Sequence, residues 1–129
     1  MKKISTKVAV DKSLEKAVNL LKNKAKEKGF GTLTDIDLQE KFKEKLDLGY
    51  TKYRILGVCN PDFAHKVIDR NKSIGLFLPC TIIVYEQEGQ TYIELQKPTF
   101  ISKFFDDEEI SRVAEMVEAI ITEVINSIK

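Results

Sequence analysis

Residues 53–85, YRILGVCNPDFAHKVIDRNKSIGLFLPCTIIVY, decide how the chain is read. They hold both cysteines (Cys59 and Cys80), the only histidine (His65) and two of the three prolines. The segment opens as a strand: in residues 51–59, Tyr53, Ile55, Gly57 and Cys59 share one face, and Leu56 and Val58 share the other. Asn60-Pro61 then starts a helix, with Asn60 as cap and Pro61 at the first helical position. Ala64, Val67 and Ile68 form its inner face, and Asn71 ends it. The run 74–79, IGLFLP, is too short for a helix and is expected to be a connector lying in the core. Residues 80–85 are apolar almost throughout, as an interior strand is.

Working outward, Ile4, Thr6, Val8 and Val10 alternate with Lys3, Ser5, Lys7 and Ala9, the pattern of a strand with one wet face. Asp11 is the expected cap of a helix bearing Leu14, Ala17, Val18, Leu21 and Ala25 on one side. Lys22, Lys24, Lys26 and Lys28 crowd its last turns, where cations suit the helix dipole, and Gly29 closes it. Residues 30–36 read as a second strand. Asp37 and Glu40 have capping-box spacing before a short surface helix with a Leu38, Phe42, Leu46 stripe, closed by Gly49.

Downstream, residues 87–90 form a turn, and residues 91–96 return as a strand with Ile93 and Leu95 inward. Phe100, Phe104 and Phe105 are expected to lie against the rest of the protein. Asp106 and Glu109 repeat the capping-box spacing. Ile110, Val113, Val117, Ile120, Ile121, Val124, Ile125 and Ile128 then make a broad apolar stripe. These β-branched residues are weak helix formers, so this helix is expected to owe its order to burial across the sheet. The order βαβαβαββα over residues 1–129 gives one α+β domain, a mostly antiparallel twisted sheet layered against helices.

Composition bounds the function. Lys and Arg number 21 against 20 Asp and Glu, a net charge of +1, which argues against a nucleic-acid binder that needs a basic excess. No apolar run approaches the roughly 20 residues of a membrane span, and no secretion signal is expected behind the basic start. A cytoplasmic protein with reduced thiols follows.

The residues able to carry chemistry are few. Cys59 ends a strand just before a helix, where the dipole would favour a reactive thiolate. Cys80 follows 21 positions later, a spacing that fits neither a C-x-x-C redox motif nor a zinc ribbon. If their strands pair antiparallel the thiols can meet; if parallel they sit at opposite ends. The helical connection between the strands favours the parallel arrangement. His65 falls on the polar face of its helix, so a Cys59–Cys80–His65 metal site is a weaker reading than a cysteine-only one. No phosphate loop, zinc-protease helix or nucleophile elbow is present. Tyr50, Tyr53, Phe77 and Tyr85 are candidates to line a pocket, or simply core.

Three blocks, GFGTLTDID (residues 29–37), YRILGVCNP (residues 53–61) and IGLFLPC (residues 74–80), resemble the family known as domain of unknown function 302. The resemblance continues through the following hairpin. It implies an α+β domain with a TATA-binding-protein-like layout, commonly homodimeric, in a prokaryotic cytoplasm, with no established activity or cofactor. It carries the family's cysteines onto Cys59 and Cys80, and its asparagine and prolines onto Asn60, Pro61 and Pro79; nothing in it supports His65.

The expectation is therefore a homodimeric, non-enzymatic binding module for a small ligand, metal or protein partner. Its site is placed near Cys59 and Cys80, with Tyr53, Asn60, Pro61, Phe77 and Pro79 as candidate pocket residues. A thiol-dependent redox protein or enzyme using Cys59 and Cys80 is the alternative, and an accessory domain with buried thiols is a third reading.

Overall fold

The computed structural model describes residues 4–129, so the Lys3 end of the first expected strand lies outside the described residues. Five strands, β1 (Ser5–Val10), β2 (Gly31–Asp37), β3 (Tyr53–Cys59), β4 (Cys80–Gln87) and β5 (Gln90–Gln96), form one sheet in the order β1-β5-β4-β3-β2. Every neighbouring pair is antiparallel. The helices are α1 (Leu14–Glu27), α2 (Leu38–Leu46), α3 (Pro61–Arg70), the short α4 (Pro98–Ser102) and α5 (Glu108–Asn126). The chain is an α+β domain with a long C-terminal helix.

The sheet has two unlike faces. Leu56, Val58, Ile82, Val84, Ile93 and Leu95 are wholly buried beneath the helices. In perfect alternation with them, Tyr53, Ile55, Ile83, Tyr85, Tyr92 and Glu94 point the other way and stay half-exposed. Ile110, Ile121, Ile125 and Ile128 of the last segment are at most 1% exposed. Each buried aliphatic side chain stabilises the fold by about 1.5–3 kcal/mol, whereas its helix propensity costs at most about 0.7 kcal/mol. Packing wins, and the stripe is helical because it is buried.

Local chemistry sets the element ends, with some differences from the sequence reading. The cap of α1 is Ser13, whose Oγ accepts the Lys16 N–H at 3.2 Å, and not Asp11. The cap of α5 is Asp107, whose Oδ1 accepts the Glu109 and Ile110 N–H groups at 2.9 and 3.1 Å, and not Asp106. In both cases the chain starts its helix nearer the first buried apolar residue, Leu14 or Ile110. Asp37 caps α2 as expected, but that helix ends on Asp47 in the left-handed region (φ 51°), before Gly49 is reached. Asn60 and Asn71 bound α3 as read. Glu88 and Gly89, both at positive φ (52° and 79°), make the tight β4–β5 turn.

Two expectations fail. The connector before β4 is a turn of 3₁₀ helix, Lys72–Phe77, and only Ile74 of it is core; Leu76 is 83% exposed. At three residues per turn the segment cannot aim Ile74, Leu76 and Phe77 in one direction. Of the three phenylalanines, Phe104 is 69% exposed, its ring edge-on to Phe100 at 5.6 Å.

Gly57 fixes how the connector meets the sheet. A Cβ there would lie 2.5 Å from both Pro79 Cγ and Thr34 Oγ1, so the missing side chain admits the proline ring. Gly31, at a β2 position with nothing within 4 Å, has no such duty. Gly57→Ala should therefore cost about 1–3 kcal/mol in urea unfolding, and Gly31→Ala less than about 0.5 kcal/mol. Equal effects would contradict this packing.

Asp35 on β2 ties the strand edge to its neighbours. Its carboxylate accepts Arg54 Nε at 2.7 Å and is paired with Lys22 of α1. The Arg54 guanidinium holds its carboxyl down, to about 2, with Lys22 adding to the effect. Because the folded value lies below the usual carboxylate range, the stabilisation is complete above pH of about 4 and fades as pH falls through about 2. Solvent screening limits it to about 1 kcal/mol. Urea melts of wild type and Asp35→Asn should differ by that amount at pH 7, and the gap should narrow below pH of about 4; a gap independent of pH would refute the ion-pair account.

Candidate functional site

The antiparallel pairing of β3 with β4 sets Val58 opposite Cys80, so Cys59 lies one position beyond that pair. The helical crossover through α3 had favoured parallel strands. Here the 3₁₀ turn and the segment through Pro79 bring the chain back to the end of the sheet that β3 has just left, so both cysteines lie at one sheet end, but they are not at disulfide distance. Both are free thiols.

They share the wall of a half-open cavity of about 70 Å³ between the sheet, α3, the 3₁₀ turn, α4 and α5. Phe30 and Phe63 stack on one side, with ring centroids 6.1 Å apart. Val113, Ala114 and Val117 of α5 supply another side. Phe77 lines the mouth and meets Phe105 edge-on at 6.1 Å. Asn60 locks one corner: its Oδ1 accepts the Phe63 N–H at 3.1 Å, and its Nδ2 donates to the Gly29 carbonyl at 3.1 Å. The cap of α3 thereby also holds the α1–β2 turn beside the cavity.

Of the expected pocket residues, Cys59, Cys80, Asn60 and Phe77 line this cavity. Pro79 borders a separate groove, which also touches Gly57, Thr81 and Gln96. Tyr53 stacks on Tyr85 at 5.5 Å on the half-exposed sheet face, and Tyr50 meets Phe42 at 5.2 Å. Pro61 opens α3 outside the cavity wall, and His65 is exposed on the polar side of α3. No group of three or more His, Cys, Asp or Glu able to hold a metal occurs among the described residues. Sequence reading missed Phe30, Phe63, Ile101 and Ala114. Ala114 carried a signal, being a small residue inside an Ile/Val stripe, where a larger one would fill the space.

Burial pushes the Cys80 thiol up to about 11, with a further push from Cys59 nearby. Burial also raises the Cys59 thiol. Desolvation of the anion outweighs the helix end that favoured a thiolate at Cys59. At neutral pH both sulfurs are protonated, soft and weakly polar, part of the apolar wall.

The family model for domain of unknown function DUF302 matches residues 6–128. Among curated proteins none matches the sequence significantly. Solved structures do: an uncharacterised conserved DUF302 protein from Bacillus stearothermophilus is 30% identical. The alignment covers 99% of this chain and 100% of that one, with a TM-score of 0.92.

The thiol chemistry is directly measurable. Iodoacetamide at pH 7 should label the native protein far more slowly than the urea-unfolded chain, with Cys59 ahead of the more deeply buried Cys80. Rapid labelling of Cys80, or a Cys59–Cys80 disulfide under mild oxidant, would contradict the protonated, desolvated pair.

Proposed function

The chain belongs to the DUF302 family, membership of which brings no activity, and on its geometry we propose that it is a non-enzymatic binding module holding a small ligand beside Cys59 and Cys80. The cavity that both cysteines line carries this reading. A concave, largely apolar site with a few polar groups at its edge is the usual form of a small-molecule site. Catalysis would need a poised acid, base or nucleophile, and the perturbed carboxylates (Glu15, Asp35, Asp107 and Glu109) all sit in ion pairs or caps away from the cavity. Thiol redox chemistry needs a thiolate, and burial opposes that at both sulfurs.

The second part of the proposal is a homodimer formed through the half-exposed sheet face. Ile36 (42% exposed), Ile55 and Ile83 lie there beside Tyr53, which stacks on Tyr85, and Tyr92, tilted against Tyr85. Apolar and aromatic residues in this number are the composition of an interface core. A cytoplasmic setting accords with two free thiols, and no helix among the described residues is long and apolar enough to cross a membrane.

Both parts have a test. A fragment library screened by thermal unfolding should contain compounds that raise the midpoint of the wild type and not of Ala64→Phe, which fills the cavity. A library with no such compound would overturn the binding reading. Light scattering should give about twice 14.7 kDa for the wild type and 14.7 kDa for Ile83→Glu; a wild-type mass of 14.7 kDa would remove the dimer.

A further inference from the structure

We infer that the cavity takes an uncharged, compact apolar molecule, a small aromatic or short alkyl compound, and neither an anion nor a metal ion. The inference rests on the cavity being a binding site at all and goes on to name the chemistry of what fits.

The wall decides the charge. Among the described residues, no Asp, Glu, Lys, Arg or His contributes to it. A carboxylate, phosphate or ammonium placed there would lose its hydration and gain no counter-ion, which is prohibitive for an unpaired charge. A metal ion would find two thiols that must first shed protons against the same desolvation, and no imidazole, since His65 is exposed on the outer side of α3.

Polar recognition is nearly exhausted as well. Asn60 has committed its carbonyl to Phe63 and its amide to Gly29. Ser102 Oγ donates to the Thr99 carbonyl at 2.9 Å. That leaves the Gln96 amide as the one amide or hydroxyl side chain of the wall without an intramolecular partner among the described residues. A ligand with one hydroxyl or N–H at its outer end would suit that arrangement, and a multiply polar one would not.

Shape and size add to this. The rings of Phe30, Phe63 and Phe77 and two polarisable sulfurs favour a flat or compact hydrocarbon. A volume of about 70 Å³ is several times that of one water site, yet an apolar cavity offers water too few partners to hold it and stays dry. A ring somewhat larger than the space enters by displacing Phe77, which is 37% exposed on a short 3₁₀ turn and meets Phe105 edge-on.

The test uses the full chain with four probes: toluene, indole, octanoate and Zn²⁺. Binding is followed by amide chemical shifts and by the thermal midpoint. Toluene or indole should raise the midpoint and shift amides of residues 58–64 and 110–117. Occupancy should also slow alkylation of Cys80 at least threefold. Ala114→Leu should weaken binding of toluene and indole at least tenfold while the variant stays folded. Should that variant unfold, Ala64→Val fills the same space with a smaller change and must show the same loss. Octanoate or Zn²⁺ shifting those amides while toluene and indole do not would overturn the ligand class and leave the binding module standing. No probe shifting them would overturn both.

Discussion

The pairing of β3 with β4 governs the rest of the molecule. Val58 faces Cys80, Leu56 faces Ile82 and Arg54 faces Val84, and because side chains alternate along a strand, this register sends one whole set under the helices. A slip by one residue would exchange Leu56 and Val58 for Ile55 and Gly57, emptying the core at its centre. The same register brings Cys59 and Cys80 to one end of the sheet and positions Pro79 over Gly57. The cavity exists because, at that end, the chain leaves the sheet through α3 and returns through a 3₁₀ turn that covers the gap incompletely.

Around that pairing the protein is asymmetric by design of its sequence. One sheet face is dry, filled by α1 and the β-branched stripe of α5. The other keeps a ladder of tyrosines, Tyr53, Tyr85 and Tyr92, with Lys7 Nζ 4.5 Å from the Tyr92 ring centre and Glu94 accepting the Tyr85 hydroxyl at 3.0 Å. The two faces suit different tasks: the first encloses a cavity, and the second offers a flat, half-apolar surface. A ligand on the helix side and a second copy on the sheet side would not compete for space.

The sequence made the elements legible where physical signals were strong and local. Period-two alternation in β5 and the long apolar stripe of α5 left little choice, and the Asn60-Pro61 start of α3 was unambiguous. Helix starts with two candidate acids were not: capping-box spacing pointed to Asp106, while the distance to the first buried residue selected Asp107. The placement of both cysteines at one end of the sheet was not legible either, since it depends on strand direction after a crossover, a non-local property that composition and periodicity do not encode. The cavity was less so. Its wall comes from α3, α4, α5 and the sheet, and only the small residues Ala64 and Ala114 hinted at unfilled space. The raised thiol pKa values then reversed the local argument for a reactive Cys59, because burial is set by the whole fold and the helix dipole by its neighbour alone.

The most direct test of a dry, apolar, ligand-accepting cavity is crystallographic. A crystal of the protein pressurised with xenon should show a xenon atom between Phe63, Cys80 and Val113, within van der Waals reach of both thiols. Ordered waters or a coordinated ion in that space, or collapsed side chains that leave no room for xenon, would contradict it.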